Sequence, residues 1–169
     1  MLETDPTSVG VLRFVCVGAV AAIALGLAIG ASARVSSPGA GAARFMKTVV
    51  REKLAKRYDL VWESLYPAHQ QVATREAYVG CESLNPWPGA VASSVRVLRA
   101  YQERIRVAGD SQERRTIAVR VRATAYAAGF PLPVVVTATY HALRAEGGWT
   151  WILSQAQYAY YSAGTCPYG

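Results

Sequence analysis

The sequence predicts an α+β domain in which a long N-terminal helix packs in the concave face of a curved, about four-stranded antiparallel sheet, preceded by one transmembrane or signal segment. Three observations predict it. Apolar side chains recur every third or fourth position from Phe45 to Gln70, the stripe of an amphipathic helix. After Asn85 the alternation shortens to every second residue, the signature of half-buried strands. Those strands follow one another across short turns, which suits antiparallel pairing alone. With 169 residues, 52% of them hydrophobic and 17% charged, the chain is long enough for a real core and too apolar for disorder.

The first element after a short tail (residues 1–13) is Phe14 to Ala33, twenty residues without a charge. That length can cross the roughly 30 Å hydrocarbon layer of a bilayer. Two readings stay open. Ala31-Ser32-Ala33 is an A-x-A pattern suited to signal cleavage before Arg34, but the run exceeds the roughly 7–15 residues of a signal core. Gly18, Ala22, Gly26 and Gly30 stand at strict four-residue spacing, a small-residue stripe on which membrane helices can approach closely. An uncleaved anchor is the favoured reading. Arg34 to Ala43 (RVSSPGAGAA) then reads as a flexible tether, so the domain is expected over residues 44–169.

In the first helix, Met46, Val50, Leu54, Tyr58, Val61, Trp62 and Leu65 form the apolar stripe, with Lys47, Arg51, Lys53, Lys56 and Arg57 mostly on the wet side. Pro67 is expected to end it. Thr74 can cap a short second helix over Arg75 to Cys81. Asn85 to Gly89 (NPWPG) is a loop.

The first strand runs from Val91 to Val107, with Val95, Val97, Tyr101, Ile105 and Val107 in its apolar phase. A turn at Gly109-Asp110-Ser111 leads to the second, where Ile117, Val119, Val121, Ala123 and Ala125 alternate with Thr116, Arg120, Arg122 and Thr124. Leu132 to Ala145 is the third strand, its start confined to a loop or edge by Pro131 and Pro133. Glu146-Gly147-Gly148 is a hairpin turn, and Trp149 to Leu153 is the fourth strand. Ser154 with Gln157 fits a capping box opening a last short helix to about Ser162.

Three stretches carry a resemblance: W-x-x-L-Y-P-x-H from Trp62 to His69, R-E-x-Y-V-x-C from Arg75 to Cys81, and G-G-W-x-W from Gly147 to Trp151. Together with the element order they resemble the nuclear transport factor 2-like superfamily of cystatin-like α+β cones, and within it small exported actinobacterial members with an N-terminal apolar segment. The resemblance spans Arg44 to Cys166. It implies a cone-shaped scaffold that hosts isomerases, dehydratases, transport factors and noncatalytic modules alike. No third helix is evident after Cys81, so the mouth of the cone is expected to be open.

Catalysis would need a cavity carboxylate or histidine and an oxyanion donor. His69 and Glu63 are the candidates, His69 as base of an isomerase- or dehydratase-like enzyme. Each has a commoner structural explanation: His69 closes a helix end and Glu63 is a solvated acid. Glu103 shares the apolar phase but sits near a hairpin, and His141 has no visible partner. His69, Cys81, His141 and Cys166 lack the close spacing of metal ligands, and no glycine-rich phosphate loop is present, so no metal or cofactor is expected. Tyr58, Trp62, Tyr66, Tyr101, Tyr140, Trp149 and Trp151 are the expected pocket lining.

The formal net charge of +7 favours anionic partners. Arginines 96, 104, 106, 120 and 122 fall on the polar phase of neighbouring strands, but no aromatic residues interleave as a nucleic-acid platform would require. Cys81 and Cys166, the two cysteines outside the apolar run, are read as a disulfide in an exported domain. The function expected is a noncatalytic extracytoplasmic binding or assembly module, held at the cell membrane by residues 14–33 or secreted if cleaved after Ala33. It would contact an envelope protein or a second copy of itself. An enzyme using His69 and a basic surface binding anionic lipid or envelope polymer are the alternatives.

Overall fold

The computed structural model describes residues 38–85, 90–129 and 131–166. Among these residues the elements follow in the order α1 (Pro38–Leu54), α2 (Tyr58–Glu63), α3 (Pro67–Val72), α4 (Arg75–Ser83), β1 (Ala92–Arg106), β2 (Glu113–Tyr126), β3 (Val134–Ala145), β4 (Gly148–Trp151) and α5 (Gln155–Ser162). The strands form one antiparallel sheet in the order β1-β2-β3-β4, and α1 packs against it. The fold class is therefore α+β, with an N-terminal helix on a four-stranded antiparallel sheet. The apolar segment 14–33 lies outside the described residues. No helix among those residues is long and apolar enough to cross a membrane.

The long first helix is a correction to the sequence reading, since the stretch 45–70 is divided among three helices. Lys56 takes a left-handed φ of 57°, and its N–H bonds to Lys53 O at 3.1 Å while Arg57 N–H bonds to Glu52 O at 2.9 Å. These two bonds are the helix-ending turn in which a left-handed residue satisfies the last carbonyls. The break re-aims the stripe, and Tyr58, Val61 and Leu65 remain buried beyond it. Pro67 does not end a helix but starts one, at the first turn of α3, where its missing N–H costs nothing.

The expected tether is also helical from Pro38 onward. Gly41 serves close approach rather than flexibility, whereas Gly39 has room for an ordinary contact. A side chain at Gly39 would meet Ala100 Cβ at 3.8 Å, and one at Gly41 would lie 2.8 Å from the Trp149 indole nitrogen.

In β1 the pairing with β2 shifts between Val97 and Arg99, so Leu98 is an extra, bulged residue. Val95 and Val97 face α1 before the bulge and Ala100 after it, beside Gly39. The inside–outside phase therefore reverses, and Tyr101, Glu103 and Ile105 move to the outer face. Between sheet and helices lies the main core, including Met46, Val50, Val61, Leu65, Tyr78, Val119, Val121 and Trp151. Trp151 fastens α2 to the sheet, its indole N–H donating to Val61 O at 2.8 Å. A smaller cluster of Val107, Leu143 and Ile152, with Tyr66 and Ile105, forms separately. Cys81 on α4 and Cys166 after α5 form a disulfide with Cα atoms 5.2 Å apart. Thr74 caps α4 and the Ser154–Gln157 capping box opens α5.

Candidate functional site

The cavity of about 270 Å³ between α1, α2 and the sheet is walled by Val50, Leu54, Ala123, Ala125, Val134 and Val136, with Lys53, Tyr58, Asn85 and Tyr140 as its polar groups. Alternation along β2 and β3 explains the apolar wall: Ala125 pairs with Val134 and Ala123 with Val136, side chains on the α1 face. The small alanines leave the space. Among the described residues no acid and no histidine lines it.

Lys53 was expected on the wet side of the helix but is a cavity residue. Its ammonium lies 3.1 Å from Glu82 Oε1 and 5.9 Å above the Trp151 ring. Glu82 has no exposed surface; it is sealed behind Lys53 rather than presented to the cavity. Burial, with a further push from the Glu82 charge, raises both the Tyr140 and Tyr58 phenols above their ordinary values. Both therefore stay protonated as hydrogen-bond donors at neutral pH. Sequence reasoning missed Glu82. The signal was present, since Tyr78, Cys81, Glu82 and Asn85 recur at helical spacing and two of them are apolar or bridged.

His69 is fully buried and both its ring nitrogens are engaged. Nε2 is 3.0 Å from Ala108 O, and Nδ1 accepts the Leu153 N–H at 3.0 Å. This pattern requires the neutral tautomer with the proton on Nε2. Burial lowers its pKa, with the Ala108 hydrogen bond opposing more weakly. His69 thereby joins α3, the β1–β2 turn and the segment after β4, and its ring also lines a cavity of about 240 Å³ with Tyr66, Asp110, Arg114 and Tyr158. Glu63 is exposed and lines another cavity of about 300 Å³ with Phe45, Thr48, Glu52 and Leu60.

Of the seven expected pocket aromatics, Tyr58 and Tyr140 stand at the cavity. The other five do not line it. Trp62 donates its indole N–H to Ala73 O at 2.7 Å, and Tyr66 sits edge-on to His69 with ring centroids 5.4 Å apart. The bulge carries Tyr101 to the outer face, beneath the Arg99 guanidinium at 4.9 Å. Trp149 packs at Gly41, and Trp151 fills the core. Two of these five miss for one reason: the sequence fixes spacing along an element but not the bulge or the helix break that re-aims it.

His141 has a partner after all. Its Nε2 pairs with Glu103 Oε1 across β2 on the outer face, above the fully buried Ala118. Among the described residues no group of His, Cys, Asp and Glu converges as a metal site would. No protein-family model matches the chain, and no curated protein does.

Proposed function

We propose that the chain is an extracytoplasmic, noncatalytic binding module of the nuclear transport factor 2-like type, held at the cell membrane by residues 14–33, that docks an envelope protein or a second copy of itself. The supporting observation is the cavity and its rim. At about 270 Å³ the cavity is just below the roughly 300–1,000 Å³ of pockets that enclose a whole small molecule, and suits a single anchoring side chain. Around its mouth Val134 and Val136 are 36% and 52% exposed, and Leu84, next to Asn85, and Leu132, two residues before Val134, are more open still. A small apolar cavity within an exposed apolar rim is the geometry of a protein hot spot. An aliphatic or aromatic side chain would fill the cavity, and Lys53, Tyr58 and Tyr140 would donate to an acceptor beside it.

The noncatalytic reading draws support from where the ionisable groups nearest this cavity are held. The acid nearest the cavity is already neutralised by Lys53, and the buried histidine is fully engaged. A photo-crosslinking residue in place of Val136 in the full chain, expressed in its own envelope, tests the proposal. One discrete crosslinked product should form, and Ala123→Trp, which fills the cavity, should remove it. An unchanged product in Ala123→Trp would sink the reading.

A further inference from the structure

On the sheet face away from α1, Arg96 stands directly opposite Arg122, and Arg99 directly opposite Arg120. All four are exposed. Cross-strand neighbours are roughly 5 Å apart and residues two apart on a strand roughly 7 Å, so four guanidinium groups issue from one small rectangle. Among the described residues no carboxylate pairs with any of them. Glu103, on the same face, is committed to His141. Like charges directly opposite one another on a sheet are destabilising, and this sheet holds two such pairs side by side.

The surroundings narrow the partner. Thr137 pairs with Arg122 and Thr139 with Arg120 in the next strand, adding hydroxyl donors to the rectangle. Tyr101 and Tyr126 flank it at 37% and 51% exposure, and Val135 lies opposite Thr124 at 55%. The arginines do not line the cavity beneath α1 or the one beside Glu63. Guanidinium groups bind phosphates through paired hydrogen bonds, and tyrosines beside apolar side chains favour the headgroup layer of a bilayer. We infer that this outer sheet face, through Arg96, Arg99, Arg120 and Arg122, is a docking surface for a bilayer bearing anionic phospholipid. The inference concerns the opposite face from the cavity and a different partner, and stands or falls separately from the protein-binding proposal.

The test is hydroxyl-radical footprinting of the full chain with lipid nanodiscs, read at Tyr101 and Tyr126. Each arginine near an anionic leaflet contributes roughly a fivefold factor to association. On discs containing anionic phospholipid both tyrosines should therefore be modified several-fold more slowly than on purely zwitterionic discs, and raised salt should abolish the difference. Arg120→Gln with Arg122→Gln should lose the protection. Arg44→Gln with Arg51→Gln, on α1, should keep it, which separates this face from the basic helix. Equal modification on both discs would overturn the inference, as would protection that survives the β2 substitutions. Protection by soluble polyphosphate but not by anionic discs would assign the face to a free polyanion and overturn it too.

Discussion

Lys53 Nζ and Glu82 Oε1 lie 3.1 Å apart, joining α1 to α4 where Glu82 has no exposed surface. Removing one partner of a buried pair leaves a charge without its counter-charge, at a cost of about 3–5 kcal/mol. Lys53→Met should fall at the lower end of that range, because Lys53 keeps 23% of its side chain exposed. Adding Glu82→Leu to it should recover much of the loss. Urea unfolding at neutral pH measures both, and a double variant no more stable than Lys53→Met would show that the ion pair is not what holds the site.

The same carboxylate acts on the phenols. Burial first, and Glu82 second, hold Tyr140 and Tyr58 above the ordinary phenol value of 10.0. A raised folded-state pKa stabilises the fold at pH values below the unfolded value, and that contribution disappears as pH rises through the folded one. Glu82→Gln should shift the phenolate absorbance of these two tyrosines to lower pH. No shift in that titration would place the carboxylate's influence elsewhere.

His69 gives the opposite pH window. Its pKa is lowered from 6.5, mainly by burial, so the unfolded chain takes up a proton before the folded one does. Stability from this group is complete above 6.5 and is lost as pH falls through the folded value. His69→Gln should remove that part of the acid dependence. It should also destabilise the fold by about 1–3 kcal/mol, since Leu153 N–H or Ala108 O is left without its partner. Thermal unfolding of both proteins across that window checks the slope; identical slopes would mean that another group titrates there.

The strand layout was legible because β2 alternates cleanly, β3 is rich in Val and Thr, and Glu146-Gly147-Gly148 marks the hairpin between β3 and β4. The disulfide was legible as well, because the apolar run removes Cys16 and leaves one pair. What escaped has a common physical origin: periodicity assigns faces only while an element stays regular. Leu98, one bulged residue, reversed the faces of Tyr101 and Glu103. Lys56, a residue with a side chain in a conformation glycine usually takes, divided the first helix. Gly41 read as part of a flexible tether because composition does not distinguish mobility from close packing. The Lys53–Glu82 pair was hidden for another reason, since a buried charge is recognisable only once its partner is known.

The left-handed turn at Lys56 makes a further prediction. With φ at 57°, a residue bearing a Cβ is strained by about 1–2 kcal/mol, whereas glycine adopts this conformation freely. Lys56→Gly should raise stability, by about 1 kcal/mol after the extra freedom glycine gives the unfolded chain. The gain should appear as a higher urea midpoint with an unchanged slope. A loss would show that the Lys56 side chain contributes more than its backbone strain costs.

The disulfide links α4 to the chain beyond α5, between residues 85 positions apart. Closing a loop of that size restricts the unfolded chain by about 4–5 kcal/mol in the loop-entropy description. The rings of Tyr78 and Tyr161, 5.9 Å apart, pack beside the same junction, so the tail keeps apolar contacts when the bond is broken. Reduction should therefore lower the unfolding midpoint without abolishing folding. Cys81→Ser with Cys166→Ser should match the reduced protein and respond to reductant no further. Amide exchange in the reduced protein should accelerate first in α5, whose covalent tie to α4 has been lost, and later in β2 at the centre of the sheet. A midpoint indifferent to reductant would show that apolar packing, and not the bridge, holds the tail in place.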